Sequence, residues 1–403
     1  MTRREQCAAC KSPDLRPFLD LDESPIADAY TATPGEPSPT YPLQVAVCGK
    51  CRLVQLLEVV DDLFGTGYSF YTSASPPLSE YHRRYADEVL TRHGDLARRG
   101  VVEVGCNDGD LLRHFATAGC PTLGVDPATG PAQVARDRGL IVHTTAFGAG
   151  LAEHIRAQDG RAGLIVANHV LAHVADVADM LAGIAHLLDD DGIAVIEVQY
   201  LPDLLVNNAF DLVYHEHRNF FCLATLASAA APWGLHVADA KLTGRQGGSL
   251  RVSFSRRNDG MSGMATWIAD TERWLDDPDV YEGMQGRTER IRDRLFDLVM
   301  AEKRAGRRVA GYGAPAKATT LLNFCNLNYG MLTHIVDTTP AKQGRHIPGT
   351  RLRIVAPDAT DVDQPDTLLL LAWNYLSPIV RNHAEFMADG GRIIVPIPAP
   401  VVI

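Results

Sequence analysis

Across residues 76–240, four short apolar runs (GVVEVG, TLGVD, GLIVAN and GIAVIEVQ) alternate with stretches of helical periodicity. Strands that alternate with helices predict a parallel sheet covered on both faces, an α/β architecture. A long helical stretch follows, TWIADTERWLDD and then RTERIRDRLFDLVMAEKRAG. Beyond it lies a second αβ series: RRVAGYGAPAKATTLL, THIVDTTP, DTLLLLAWN and GRIIVPIP. Its motifs differ from the first series, so it reads as a smaller Rossmann-like domain rather than an internal repeat. The chain has 403 residues, too many for one ordinary core. The expected division is a module over residues 1–75, a central α/β domain over 76–240 and a C-terminal α/β domain over 241–403.

The first block is rich in Pro, Asp and short strand-like runs such as PLQVAVC. Four of the chain's eight cysteines stand in it as two pairs, Cys7 with Cys10 and Cys48 with Cys51. Each Cys-x-x-Cys brings two thiolates close enough for one tetrahedral Zn²⁺. The stretch between the pairs exceeds finger spacing, which implies a small zinc-pinned subdomain rather than a DNA-reading finger. The alternatives are unrelated pairs or a redox pair, but redox pairs favour a helix start after a strand, and neither context is evident.

Composition excludes some classes. With 46% hydrophobic and 22% charged residues, the chain is expected to be globular. The net charge of −11 argues against general nucleic-acid binding, which depends on many phosphate-neutralising Lys and Arg. No apolar run reaches the ~18 residues of a membrane span. The start, MTRREQCAACKSP, lacks the apolar core of a secretory signal, so a cytoplasmic protein is expected, a monomer or weak oligomer.

The stretch VVEVGCNDGDLLRHF carries Glu103-x-Gly105-x-Asn107-x-Gly109. A strand running into a tight glycine turn and then a helix lets the backbone approach a ligand at the strand's carboxyl end. The dinucleotide pattern GxGxxG is absent, and the spacing suits the amino-acid half of S-adenosylmethionine. Asp126, ending the next strand, can accept both ribose hydroxyls, and Asn168 ends the fourth. A glycine turn that merely packs helix on strand is the competing reading. In the C-terminal series, Gly311-Tyr312-Gly313-Ala-Pro-Ala-Lys317 again follows a strand, and a helix start beside a lysine can receive phosphate. Lys342 and Arg345 form a second basic cluster, which ordinary surface charge explains equally well.

VYHEHRNFF, residues 213–221, places Tyr214, His215, Glu216 and His217 together. His-x-His puts two ligands on one side only of a strand and still needs a third, so a metal reading is weak. A core role suits His215 alone but leaves a glutamate between two imidazoles unexplained. An acid–base centre is the third possibility.

The chain resembles, over nearly its full length, the sugar C-methyltransferases that act on nucleotide-linked 4-keto-deoxyhexoses in antibiotic biosynthesis. The matching stretches are the four cysteines, EVGCNDGDLL, ANHVLAHVADV, IEVQYLPDLL, VYHEHRNFF, GGSLRV, GYGAPAKATTLLNF, VDTTPAKQGRHIPGT and VPIP. The resemblance implies a zinc domain, a central Rossmann-like class I methyltransferase domain and a C-terminal Rossmann-like domain. It implies S-adenosylmethionine and structural zinc as cofactors, with a nucleotide-linked keto-sugar as substrate.

Methylating carbon next to a ketone requires removal of the α-proton, and the resemblance gives that work to His217. A histidine is neutral near pH 7 yet basic enough to share a proton. Glu216 and Tyr214 would hold the sugar, orient the base or donate to the enolate oxygen. His173 is the next candidate for polarising the ketone, with a solvent-facing helix start as its plain alternative. Lys317, Tyr312, Lys342 and Arg345 would take the nucleotide diphosphate.

Two departures stand out. The family's linker usually reads Tyr-x-Tyr-x-Ser-Ser-x-Ser, whereas here Phe70 falls where a tyrosine is expected, leaving Tyr68 or Tyr71 to supply the hydroxyl. In IEVQYLPDLL, Gln199 stands where the family tends to carry proline. Either difference could reflect a non-standard acceptor. The other functions compatible with the sequence are a methyltransferase for another small molecule, a dehydrogenase and a zinc-anchored scaffold. A dehydrogenase is disfavoured because neither α/β domain carries GxGxxG.

Overall fold

The computed structural model describes residues 1–403 except 62, 65–67, 69, 245 and 246. The N-terminal strands Leu15–Pro25, Thr40–Cys48 and Val54–Leu56 form an antiparallel sheet. Its fourth strand, Asn219–Phe220, comes from the VYHEHRNFF segment and pairs with Val54–Leu56. The two cysteine pairs sit in matching turns. Lys11 N–H donates to the Cys7 carbonyl and Arg52 N–H to the Cys48 carbonyl, with Lys11 (φ 58°) and Arg52 (φ 61°) both left-handed. Cys7, Ala8, Cys48, Cys51 and Leu53 pack into the same core as the central domain's Ala162–Asn168 and Val177–Leu187 elements, so the module is not a detached finger.

The central sheet has seven strands. In spatial order they are His236–Thr243, Ser249–Ser255, Leu188–Gln199, Ala162–Asn168, Val101–Val104, Thr122–Val125 and Val142–His143. Only Ser249–Ser255 runs antiparallel to its neighbours. The strand order reverses between Val101–Val104 and Ala162–Asn168, so a crevice opens at the carboxyl ends of these two strands.

The boundary expected at residue 240 falls inside the strand His236–Thr243. The sheet continues to Ser255, and Ala265 and Ile268 of the helix Gly263–Thr271 complete its core. A hairpin closing a parallel sheet looks, in sequence, like the start of a new unit. The GGSLRV stretch now has a physical role. Gly248 has φ +124°, and a Cβ there would lie 1.9 Å from an Asp203 carboxylate oxygen, so only glycine lets the strand approach. Arg245 and Gln246, just before it, lie outside the described residues.

The helix Met284–Arg304 leads into the third sheet, of order Ile354–Val355, Ile335–Val336, Val309–Tyr312, Thr367–Leu370, Arg392–Val395 and Val401–Val402. All of its pairs are parallel except the last. The second Rossmann-like series read from sequence is thus present. Among the described residues no helix is long and apolar enough to cross a membrane.

Candidate active site

The four cysteine sulfurs lie within 4.8 Å of one another. Cys7 and Cys51 are 3.5 Å apart and Cys10 and Cys48 3.6 Å. Four thiolates around Zn²⁺ at ~2.3 Å stand about 3.8 Å from each other, so the cluster fits a tetrahedral structural site. Among the described residues no other group of three or more His, Cys, Asp or Glu side chains gathers at metal-binding distance. His215 in particular is buried in the zinc module, its Nε2 3.3 Å from the Pro42 carbonyl and its ring against Tyr41. It is a packed histidine, and the His-x-His pair is not a metal site.

At the crevice, Gly105 adopts φ +73°, and a Cβ there would strike Val170 at 2.2 Å. Gly109 is buried in the same turn, and Glu103 is buried behind it with Oε2 unpartnered. Burial, with Asp126 and Asp110 nearby, pushes the Glu103 carboxyl well above its ordinary range. The Asp126 carboxylate accepts from Asn107 N–H and Ala128 N–H, both at 2.8 Å, which orders it while leaving lone pairs for a ligand. Asn168 ends its strand with both amide atoms buried and unpartnered. A turn open to backbone approach, an ordered carboxylate and an orphaned amide fit the polar ends of S-adenosylmethionine.

Asn107 departs from expectation. Its amide does not face the cofactor crevice: Oδ1 accepts from Thr72 N–H and Nδ2 donates to the Phe70 carbonyl, each at 3.0 Å. Buried Asp108 grips the same linker, accepting from Thr72 Oγ1 at 2.5 Å and from Ser73 N–H and Oγ. The linker is therefore tied to the glycine turn by two adjacent side chains. Phe70 is 43% exposed. Tyr71 points to the helix Thr129–Asp137 that follows Asp126, where a Cβ on Gly130 would lie 2.8 Å from its hydroxyl. That places it on the Asp126 side of the crevice. Tyr68 stacks edge-on against Phe64, which packs in turn on His173. Burial, then the charges of Asp28, Glu216 and Asp126, push its phenol up. Of the two candidate tyrosines, Tyr68 is the one at the site.

The VYHEHRNFF segment is held by its strand pairing and by Arg218 and Asn219 N–H groups, which both donate to the Ala172 carbonyl. This brings His217 and His173 to 5.2 Å between ring centres. His217 is 6% exposed. Its Nδ1 donates to the Leu212 carbonyl at 2.8 Å, which leaves Nε2 as the lone-pair nitrogen. Tyr214 OH donates to that Nε2 at 2.7 Å, and the Gln199 amide nitrogen stands 3.4 Å from it. Burial, then the neighbouring His173, hold His217 well below the usual histidine range, so it is neutral at pH 7. His173 is built the same way: Nδ1 donates to the Glu216 carbonyl at 2.6 Å, and burial lowers its pKa to about 4. Glu216 has Oε2 buried without a partner, and burial plus the Asp28 charge raise it to about 8. At neutral pH it is a carboxylic acid able to donate. Asp28 and Tyr30 carry no motif and escaped the sequence reading. Tyr30 OH donates to the Ala314 carbonyl at 2.8 Å, which joins the first module to the C-terminal turn.

The expected phosphate cradle around Gly313 is different. Lys317 is 6% exposed, 3.6 Å from the buried Asp211 carboxylate and 3.8 Å above the Trp373 ring. Burial lowers it to about 8. It is the buried ionic partner of Asp211, its Nζ making no hydrogen bond. The turn's Ala314 N–H is taken by Asp337 at 2.6 Å, which sets a carboxylate where an anion would have to approach. Lys342 donates to the Ala314 carbonyl at 2.8 Å and lies 5.3 Å over Tyr30. Arg345 is exposed. Tyr312 packs edge-on against His383.

Comparison with known proteins decides the family. The chain is 35% identical over 407 aligned positions to C-methyltransferase NovU of Streptomyces niveus, covering 99% of this chain and 97% of that one. The chain belongs to the zinc-containing C-methyltransferases. Three family models divide it: a zinc binding domain over residues 7–63, a methyltransferase domain over 78–239 and a C-methyltransferase C-terminal domain over 244–398. A ubiquinone biosynthesis O-methyltransferase of Serratia proteamaculans (strain 568) is 25% identical, covering 36% of this C-methyltransferase and 65% of its own length. Magnesium protoporphyrin IX methyltransferase from Synechocystis, solved with bound SAH, matches at 19% identity and TM-score 0.36, over 44% of this chain and 84% of its own. The protein is an S-adenosylmethionine-dependent methyltransferase with a zinc-binding cysteine cluster, as the resemblance implied.

Proposed function

We propose that the chain methylates the carbon next to the ketone of a nucleotide-linked keto-deoxysugar. The observation that supports this most is His217: a buried, neutral imidazole whose Nδ1–H is committed to Leu212 and whose Nε2 keeps its lone pair, held by Tyr214 OH. Bound S-adenosylmethionine supplies an electrophilic methyl group, with Gly105, Asp126 and Asn168 as the residues that hold it. His217 Nε2 takes the α-proton, and the C–H electron pair moves into the enolate. Tyr214, released from Nε2 as the proton arrives, and the protonated Glu216 are the donors available to the enolate oxygen. His173 and Tyr68 complete the wall facing the acceptor. The enolate carbon forms the new carbon–carbon bond as the sulfur–methyl bond breaks, and His217 returns its proton to solvent.

Of the four residues that the resemblance assigns to the nucleotide diphosphate, Lys342, Arg345 and Tyr312 are left to take it, since Lys317 is paired with Asp211. A depressed pKa keeps the base free of its proton but weakens it, so removal of the α-proton depends on enolate stabilisation as much as on His217. A different acceptor, a hydroxyl or another enolisable carbon, is the second reading. Its sequence support is Phe70, which is exposed while Tyr68 stands beside Phe64 and His173. The test is incubation of the protein with S-adenosylmethionine and a panel of nucleoside-diphosphate 4-keto-deoxyhexoses, with products weighed by mass spectrometry. A gain of one methyl on carbon supports the reading, and methylation on oxygen or no product with any ketone overturns it.

A further inference from the structure

Gln199 is the last residue of the strand Leu188–Gln199, on the carboxyl edge of the sheet beside Asn168's strand. Its side chain is buried, and its Nε2 lies 3.4 Å from His217 Nε2. Its other terminal atom, Oε1, is buried with no hydrogen-bond partner. Buried amide oxygens left unpaired are uncommon and carry the full cost of desolvation.

The amide cannot repair this by itself. Because His217 Nδ1–H is given to Leu212, Nε2 presents a lone pair. Turning the amide over would set Oε1 against that lone pair, acceptor to acceptor. Tyr214 OH is already committed to Nε2. With a neutral base the amide has one orientation, nitrogen toward His217, which leaves its oxygen buried with no donor from the protein.

We infer that Gln199 is a specificity residue that touches the acceptor: its Oε1 takes a hydrogen bond from a hydroxyl or ammonium group on the carbon neighbouring the one that His217 deprotonates. The position follows from short distances. Oε1 lies no more than about 6 Å from His217 Nε2, from the 3.4 Å contact plus the span of one amide. The reacting carbon must come within about 3–3.5 Å of the base. A donor within hydrogen-bond reach of Oε1 can therefore sit as close as a bond or two from the reacting carbon, which is the placement inferred. The inference rests on the proposed function, and the experiment separates the two.

Full-length wild type, Gln199→Leu and Gln199→Glu are compared on paired thymidine-diphosphate 4-keto-6-deoxyhexoses, with and without a hydroxyl beside the reactive carbon. Wild type should favour the hydroxylated member by about tenfold to a hundredfold in kcat/KM, the range of one hydrogen bond that satisfies a buried acceptor. Gln199→Leu should bring the ratio to within about twofold, mainly by losing rate on the hydroxylated member. Gln199→Glu keeps the shape and sets a carboxylate beside His217, so the acid limb of its kcat/KM–pH profile should move to higher pH. An unchanged ratio in Gln199→Leu, or a wild type indifferent to the hydroxyl, overturns the assignment. If Gln199→Leu does not fold, an unmoved pH limb in Gln199→Glu overturns it instead. Absence of methyl transfer by wild type with every ketone overturns the proposed function, and this assignment with it.

Discussion

Replacing Lys317 by methionine distinguishes the phosphate-binding lysine expected from sequence from the internal ion pair seen in the structure. Lys317→Met retains the apolar stem against Trp373 but leaves Asp211 buried, its Oδ2 still accepting from Trp373 Nε1 at 2.6 Å. A lone buried carboxylate need not stay charged. It can take a proton instead, and the cost of protonating a group of unfolded pKa ~3.9 at pH 7 is about 4 kcal/mol. That sets the ceiling, and breaking a buried pair commonly costs about 3–5 kcal/mol. The variant's folded state then holds one proton more than its unfolded state between pH ~4 and the raised folded pKa. Its stability relative to wild type should therefore improve as pH falls, by about 1.4 kcal/mol per unit. Urea unfolding followed by tryptophan fluorescence at pH 7 and pH 5 should give a loss of about 3–4 kcal/mol that shrinks to about 1 kcal/mol. A variant as stable as wild type at both pH values, with nucleotide affinity lost, would refute the ion-pair account and restore the phosphate role.

Asp126→Ala should weaken S-adenosylmethionine binding by about tenfold or more by calorimetry, since each charge-assisted hydrogen bond is worth roughly 1.5–3 kcal/mol; unchanged affinity in a folded protein counts against Asp126 as the ribose ligand. Cys51→Ser should lower the zinc content found by elemental analysis and open the N-terminal module to proteolysis, while His215→Ala should leave zinc at one per chain. Glu216, raised to about 8, is neutral at pH 7 and loses its proton as pH rises through that value. Glu216→Gln should accordingly keep most of the activity at pH 7, whereas wild type falls off above pH 8 and the variant does not. An alkaline limb of equal position in both proteins would remove Glu216 as its cause.

Much of the fold was legible because its signals are local. The strand–glycine–helix unit around Gly105, each cysteine pair and each apolar run of the alternation declare themselves in short stretches of the chain. The hairpin that closes the central sheet did not, because His236–Thr243 and Ser249–Ser255 carry ordinary strand patterns whose partners are decided by tertiary pairing. At the site, His217, Glu216 and Tyr214 are found together because they are neighbours in the chain. Asp28 and Tyr30 reach the site from a segment nearly two hundred residues earlier, with no motif to mark them. Lys317 misled for a related reason: a lysine at a helix start looks the same in sequence whether it faces solvent or a buried aspartate. Gln199 stood out as a departure, but its meaning depended on the orientation of the His217 ring, which no sequence records.

The central claim is that His217 Nε2 removes the α-proton of a ketone. It is tested most directly by incubating the protein in deuterated water with a nucleoside-diphosphate 4-keto-deoxyhexose and S-adenosylhomocysteine, which has no methyl to give, and following loss of the α-proton by NMR. Wild type should exchange that proton, and His217→Ala, still binding both ligands, should slow exchange by about 10²–10⁴-fold. Exchange at the wild-type rate in His217→Ala, with exchange lost in a variant at His173 or Tyr68 instead, would contradict the account and move the base elsewhere in the site.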